Sequence, residues 1–169
     1  MRRTGKTTML KKIIASQKQR VLIYDINNEE GYDAIPRINF VDIPTFKGVK
    51  KIFHSDHLLC LDMFAKYLRN SLLVLEDANV YVTPARLQSL WNILVSCRHM
   101  GLDVCFTFHS LARVPPWLFE MTNDLILFKT SENPERVLAK IPDFEKVYKN
   151  WEEIKAHPDP HHKRIINLI

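Results

Sequence analysis

Residues 1–10 read MRRTGKTTML, and the triplet Gly5-Lys6-Thr7 within them is the second half of a GxxxxGK(S/T) loop whose first glycine would fall one residue before Met1. The residues that follow say what this triplet opens. From Thr7 to Gln17, Met9, Leu10, Ile13 and Ile14 recur on one helical face, and the run RVLIYDIN then continues as a buried strand ended by Asp25. A helix that starts on Gly-Lys-Thr aims successive backbone N–H groups and the positive end of its dipole at one spot, where they hold phosphate while the lysine reaches the outer phosphates. Thr4, Gly5, Lys6, Thr7 and Thr8 are therefore the candidate nucleotide-binding residues, and the Thr7 hydroxyl is placed for Mg2+.

Outward from this start, apolar runs alternate with helical patterns. Residues 31–54 are broken by Pro36, Pro44 and Gly48 into short runs such as KKIFH. Asp56 is placed to cap a helix carrying Leu59, Met63, Tyr67 and Leu68, which leads into SLLVLEDAN, a second buried strand. Thr83 and Pro84 suit the cap and first position of a helix from about 85 to 99. DVCFTFHS is a third strand, PPWLFEM a short helix and DLILFKT a fourth strand. After Asn133-Pro134 the pattern is helical, with Phe144, Val147, Tyr148, Trp151 and Ile154 in step, and RIINLI is a last apolar run. Strands apolar on both faces and alternating with helices indicate an α/β sandwich with a mainly parallel sheet, whose ligand lies at the carboxyl ends of the strands.

The 169 residues suit one domain, residues 1–169, and 46% hydrophobic with 25% charged residues is the balance of a soluble globular chain. There is no apolar stretch of membrane-spanning length and no signal peptide ahead of the loop, so the expected location is the cytoplasm. Cys60, Cys97 and Cys105 are widely spaced in apolar segments and read as free core thiols. The net charge of +5 suits a polyanionic partner without specifying one.

Three further groups carry chemistry. LLVLED ends a strand in Glu76-Asp77, and hydrolysis of a phosphoanhydride needs one carboxylate in the magnesium shell and another group to orient or deprotonate the attacking water. An isolated acidic pair of this kind can also be a solvated turn. Leu87, Leu90, Trp91, Leu94 and Val95 form a buried helical stripe, and Arg98 continues nearly the same azimuth, so it either snorkels past the sheet edge or projects toward a neighbouring subunit. His109 ends the next strand, where it could touch the γ-phosphate or the water. The HPDPHH stretch, with His157, His161 and His162 between prolines, reads as an exposed turn rather than a metal site.

Taken in order, GKT, YDINNEEGY, LLVLED, RHMG with FTFHS, and PPWLFEMTNDLILFKT resemble the HerA/FtsK superfamily of P-loop ATPases over roughly residues 4–130. The resemblance is closest to the viral genome-packaging ATPases and the Zot-like proteins of filamentous phages. Two positions depart from the family pattern: the acid pair is inverted to Glu76-Asp77, and His109 stands where the family usually has glutamine. The resemblance implies a three-layer P-loop NTPase sandwich and an ATP-hydrolysing DNA translocase that packages a viral genome. It also implies a ring, usually a hexamer, with catalysis shared among Glu76, Asp77, His109 and an arginine finger acting in trans, Arg98 before Arg113 in SLARVPP. Glu76 would serve Mg2+ partly through water. The DNA, double-stranded by expectation, would meet the basic stretch TFKGVKK with Lys47, Lys50 and Lys51, and a capsid protein or membrane pore would be the docking partner. If viral, the protein works in the host cytoplasm or associates with the virion. The alternatives are a Zot-like extrusion factor with weak hydrolysis and a small-molecule kinase, although no arginine-bearing lid segment of the kinase type is present.

In this superfamily a central strand delivers the first glycine of the loop, and this first strand is missing ahead of Met1. Two readings follow: the true start lies upstream, or another segment, of which RIINLI is the candidate, fills the position. The first is preferred because Arg2-Arg3-Thr4-Gly5 fits the interior of the loop.

Overall fold

The two central strands, β1 (Arg20–Tyr24) and β3 (Ser71–Leu75), send alternate side chains to opposite sides, and the helices divide accordingly. Val21, Ile23, Leu72 and Val74 face one layer, where they meet Leu10 and Ile14 of α1 (Lys6–Ser16). Leu22, Tyr24, Leu73 and Leu75 face the other, against Cys60, Leu61 and Phe64 of α2 (His57–Tyr67) and Leu90 and Ile93 of α3 (Gln88–Met100). A strand buried on both faces has no polar side, which is why these two runs are uninterrupted by polar residues. Each such side chain contributes about 1.5–3 kcal/mol on burial, so the two strands hold the three layers together. The computed structural model describes residues 5–28, 30–83, 87–130, 132, 141 and 143–168.

The sheet is parallel throughout, in the order β2-β1-β3-β4, with β2 at Val49–Ile52 and β4 at Leu102–Phe106. A short helix, α4 (Pro116–Phe119), leads to β5 (Asp124–Phe128). After α5 (Phe144–Ala156), β6 (Lys163–Asn167) pairs antiparallel with β5 in a separate two-stranded ribbon. This corrects the second reading of RIINLI: among the described residues its strand pairs with β5 alone and does not join the four-stranded sheet between β4 and β5. That position is a groove of about 1110 Å³, running from Arg98 to His109 along β4 and walled by Met9, Ile13, Leu94 and the facing residues of β5.

Several boundaries differ from the sequence reading. β2 was hidden in the broken stretch 31–54, because a four-residue edge strand with two lysines has no apolar alternation. One of those lysines, Lys51, is 3% exposed and lies 3.6 Å from the fully buried Asp25 carboxylate, so it is not part of an exposed basic loop. Asp33 lies 4.0 Å from the same ammonium group. Removing one partner of such a pair would cost about 3–5 kcal/mol by stranding the other charge, which marks Lys51 as structural. α3 begins at Gln88 with Leu87 in the capping position, not at Thr83; Pro84 lies outside the described residues, as does Asn133-Pro134. Its buried face is Leu90, Ile93, Leu94 and Met100, a rotation that exposes Val95 and Arg98. Asp56 caps α2 as its side chain predicts, accepting from the Leu59 N–H at 2.9 Å. The buried face of α2 is carried by Cys60, Leu61 and Phe64, while Leu59 is exposed.

Candidate functional site

The carboxyl ends of β1, β3 and β4 converge on the start of α1. Gly5 caps that helix in the left-handed conformation, φ 86°, which glycine adopts without a Cβ clash. The cap makes no side-chain hydrogen bond and the first turn carries no acid, so no carboxylate of the helix itself offsets its positive end. Thr4 lies outside the described residues; Thr7 and Thr8 occupy the first turn of α1. The Lys6 ammonium group donates to the Phe108 carbonyl at 3.2 Å and meets His109 Nδ1 at 2.8 Å.

The acid pair is not a solvated turn. Glu76 and Asp77 are only 7% and 6% exposed. Asp77 takes a left-handed backbone, φ 46° and ψ 44°, which turns the chain sharply off β3 and sends successive acid side chains in different directions. Both oxygens of Glu76 are engaged: Tyr32 O–H donates to Oε1 and Thr107 O–H donates to Oε2. Thr107 Oγ1 in turn accepts the Asp77 N–H at 2.9 Å. Each hydrogen bond to a charged group contributes about 1.5–3 kcal/mol, which offsets the cost of burying this side chain.

Asp77 is held differently. Asn27 donates to Oδ2, and His109 Nε2 lies 2.6 Å from Oδ1. An ammonium group can only donate, so Nδ1 of His109 accepts from Lys6, and the ring proton sits on Nε2, directed at Asp77. A neutral imidazole of this tautomer satisfies both neighbours at once. The result is an unbroken chain of contacts from Lys6 through His109 to Asp77 and Asn27.

Of the residues singled out from sequence, Gly5, Lys6, Glu76, Asp77 and His109 thus come together. Arg98 does not join them. It is exposed in the last turn of α3, before β4, whereas His109 follows β4, and five strand residues separate the two by roughly 17 Å. Arg113, also exposed, lies in a short turn four residues after His109 and therefore at the site's end of the sheet. Among the basic candidates Lys47 is exposed, Lys50 half-buried and Lys51 buried. The HPDPHH turn is exposed at His161, which packs beside the loop: a Cβ on Gly5 would lie 3.8 Å from His161 Nδ1. His157 and His162 stack with ring centroids 3.7 Å apart.

Sequence reasoning missed Asn27, Tyr32 and Thr107. Their signal was present, since YDINNEEGY follows β1 and Thr107 follows β4, both strand ends on the ligand side of a parallel sheet. A magnesium ion fits the oxygens here. No cluster of three or more His, Cys, Asp or Glu side chains that could hold a metal by itself exists among the described residues. Mg2+ takes one or two carboxylates and completes its shell with substrate phosphates and water, and a Glu76 oxygen with the Thr7 hydroxyl would be the partial set offered to it. One segment approaches both residues: a Cβ added at Gly31 would lie 3.5 Å from the Thr7 γ-methyl, and the next residue, Tyr32, bonds Glu76.

A parallel sheet between helical layers, with a Gly-Lys-Thr helix start facing a buried acid pair, defines an α/β protein of the P-loop NTPase fold. Similar solved structures include those of a virus protein, the genome packaging NTPase B204. Its complex with AMPPCP, from Sulfolobus turreted icosahedral virus 2, superposes with a TM-score of 0.79 at 17% identity, over 98% of this chain and 87% of that one. The complex with ATP-gammaS gives 0.77 at 18% identity over 99% and 88%. The DNA-packaging ATPase B204 of Sulfolobus turreted icosahedral virus gives 0.73 at 16% identity over 99% and 93%. No family model matches the sequence, and no curated protein matches it.

Proposed function

We propose that this chain is an ATP-hydrolysing motor subunit of the HerA/FtsK type that drives DNA during packaging of a viral genome. The observation that carries the reading is the contact chain Lys6–His109–Asp77 at the carboxyl end of the sheet, which joins the phosphate-binding lysine to a buried acid through 2.8 Å and 2.6 Å contacts. The likeness to a packaging NTPase solved with ATP analogues supports the choice of ligand and of biological role.

In this mechanism the N–H groups at the start of α1 and the Lys6 ammonium group bind the phosphates, for which Lys6 exchanges its contacts to Phe108 and His109. Thr7 and Glu76 would hold Mg2+, which would neutralise charge on the phosphates. Asp77, fixed by Asn27 and His109, orients a water in line with the γ-phosphorus and takes its proton as the P–O bond to the β-phosphate breaks. His109, released by Lys6, keeps Asp77 oriented through its Nε2–H. The subunits form a ring, hexameric in this reading, that surrounds double-stranded DNA and docks on a capsid component. Steady-state ATP turnover with and without double-stranded DNA tests this: stimulation by DNA supports the motor, and turnover indifferent to DNA opposes it.

A further inference from the structure

We propose that Tyr32 is a positioning residue for Glu76, coupling the helix that begins at the nucleotide loop to the carboxylate that serves magnesium; the inference rests on the functional reading above. Tyr32 ends a short turn, Glu30–Tyr32, in the segment between β1 and β2, and it is fully buried. Its ring belongs to the same cluster as Leu10 and Ile14 of α1 and Ile23 and Val74 of the central strands. Its hydroxyl leaves that apolar cluster and donates to Glu76 Oε1. A ring that only filled space would be served equally by phenylalanine, and burying a hydroxyl in such surroundings is favourable only because it finds a charged acceptor.

The consequence lies in the orientation of Glu76. The terminal torsion of a glutamate is soft, and a single hydrogen bond would leave the carboxylate free to swing. With Tyr32 on Oε1 and Thr107 on Oε2, both oxygens are fixed and their remaining lone pairs point to set directions. A Cβ added at Gly31, the residue before Tyr32, would lie 3.5 Å from the Thr7 γ-methyl, so the residue carrying the other oxygen donor lies beside the same segment. The segment therefore sets the separation of the two magnesium donors, and outer partners of this kind change metal affinity or activity by about 10–100-fold when removed.

The test is Tyr32→Phe, which keeps the ring and removes the donor, with Thr107→Val as a second variant on the other oxygen and Thr107→Ser as the hydroxyl-keeping control. Binding of a fluorescent ATP analogue is measured in EDTA and across a magnesium titration, beside kcat and KM. The expected result for Tyr32→Phe is unchanged affinity in EDTA, a half-saturating magnesium concentration raised by about 10–100-fold, and reduced kcat with little change in KM. Thr107→Val should shift the same way and Thr107→Ser should not. Wild-type magnesium dependence in Tyr32→Phe, or an equal loss of affinity with and without magnesium, would overturn the coupling and leave the ATPase reading standing. A wild-type chain whose nucleotide binding ignores magnesium would overturn both.

Discussion

Glu76 and Asp77 are adjacent in sequence, yet their neighbours assign them different work. Hydroxyl groups, which can donate or accept, surround Glu76, so an amide in its place could still be accommodated by rotating Tyr32 and Thr107. Asp77 accepts from Nε2–H of His109 and from the side-chain amide of Asn27, and an amide in its place could keep both partners only if Asn27 turned its own oxygen inward. Glu76→Gln and Asp77→Asn are each expected to slow ATP hydrolysis by about 10²–10⁴-fold while nucleotide binding persists. Asp77→Asn is expected to cost little unfolding stability, because the donors His109 and Asn27 are exposed and water can replace the lost acceptor. Turnover, nucleotide binding and thermal melting of the two variants and their double check this. Full activity in either single variant would show that the chemistry uses one carboxylate, not two.

At the scale of elements, the strand β4 carries a contrast that hydrogen exchange can read. The Thr107 N–H donates to the Leu75 carbonyl at 3.0 Å, so alternate amides, those of Cys105 and Asp103, also face β3, and those of Val104 and Phe106 face the groove. Val104 and Phe106 are expected to exchange faster than Cys105 and Thr107, and equal protection would mean that the groove edge is paired in solution. How far these elements were legible depends on periodicity. The runs at 20–24 and 71–75 announce themselves because strands buried on both faces carry consecutive apolar residues, and those at 102–106 and 124–128 by apolar runs beside the exposed Asp103 and Asp124. β2 does not, because its Lys51 is apolar in effect only through the Asp25 carboxylate brought to it from another strand. The rotation of α3 was likewise invisible, since Ile93 and Val95 are equally apolar and only tertiary contact decides which is buried. At the site, Glu76, Asp77 and His109 were found by their chemistry, whereas Asn27, Tyr32 and Thr107, although they lie beyond strand ends on the ligand side, act through partners 50, 44 and 31 residues away that no local pattern names.

For the whole molecule, the separation of Arg98 from the Lys6 end of the sheet means that it cannot serve the site of its own chain, so any catalytic role must be played on a neighbouring subunit. Arg98→Ala subunits are then expected to be inactive alone and partly rescued by mixing with Lys6→Ala subunits, because a mixed interface can unite an intact loop with an intact arginine. Absence of rescue in confirmed mixed assemblies would pass the role to Arg113, which lies at the site's own end. Translocation by a ring would also make hydrolysis respond to the polymer it moves, and nothing else in the account demands that. The deciding measurement is steady-state ATP hydrolysis by the wild-type chain and by folded Lys6→Ala, each with and without double-stranded DNA. The account predicts magnesium-dependent turnover that DNA stimulates in the wild type and that Lys6→Ala abolishes. Equal turnover in folded Lys6→Ala would contradict it, because hydrolysis would then not pass through the loop where Lys6, His109 and Asp77 meet.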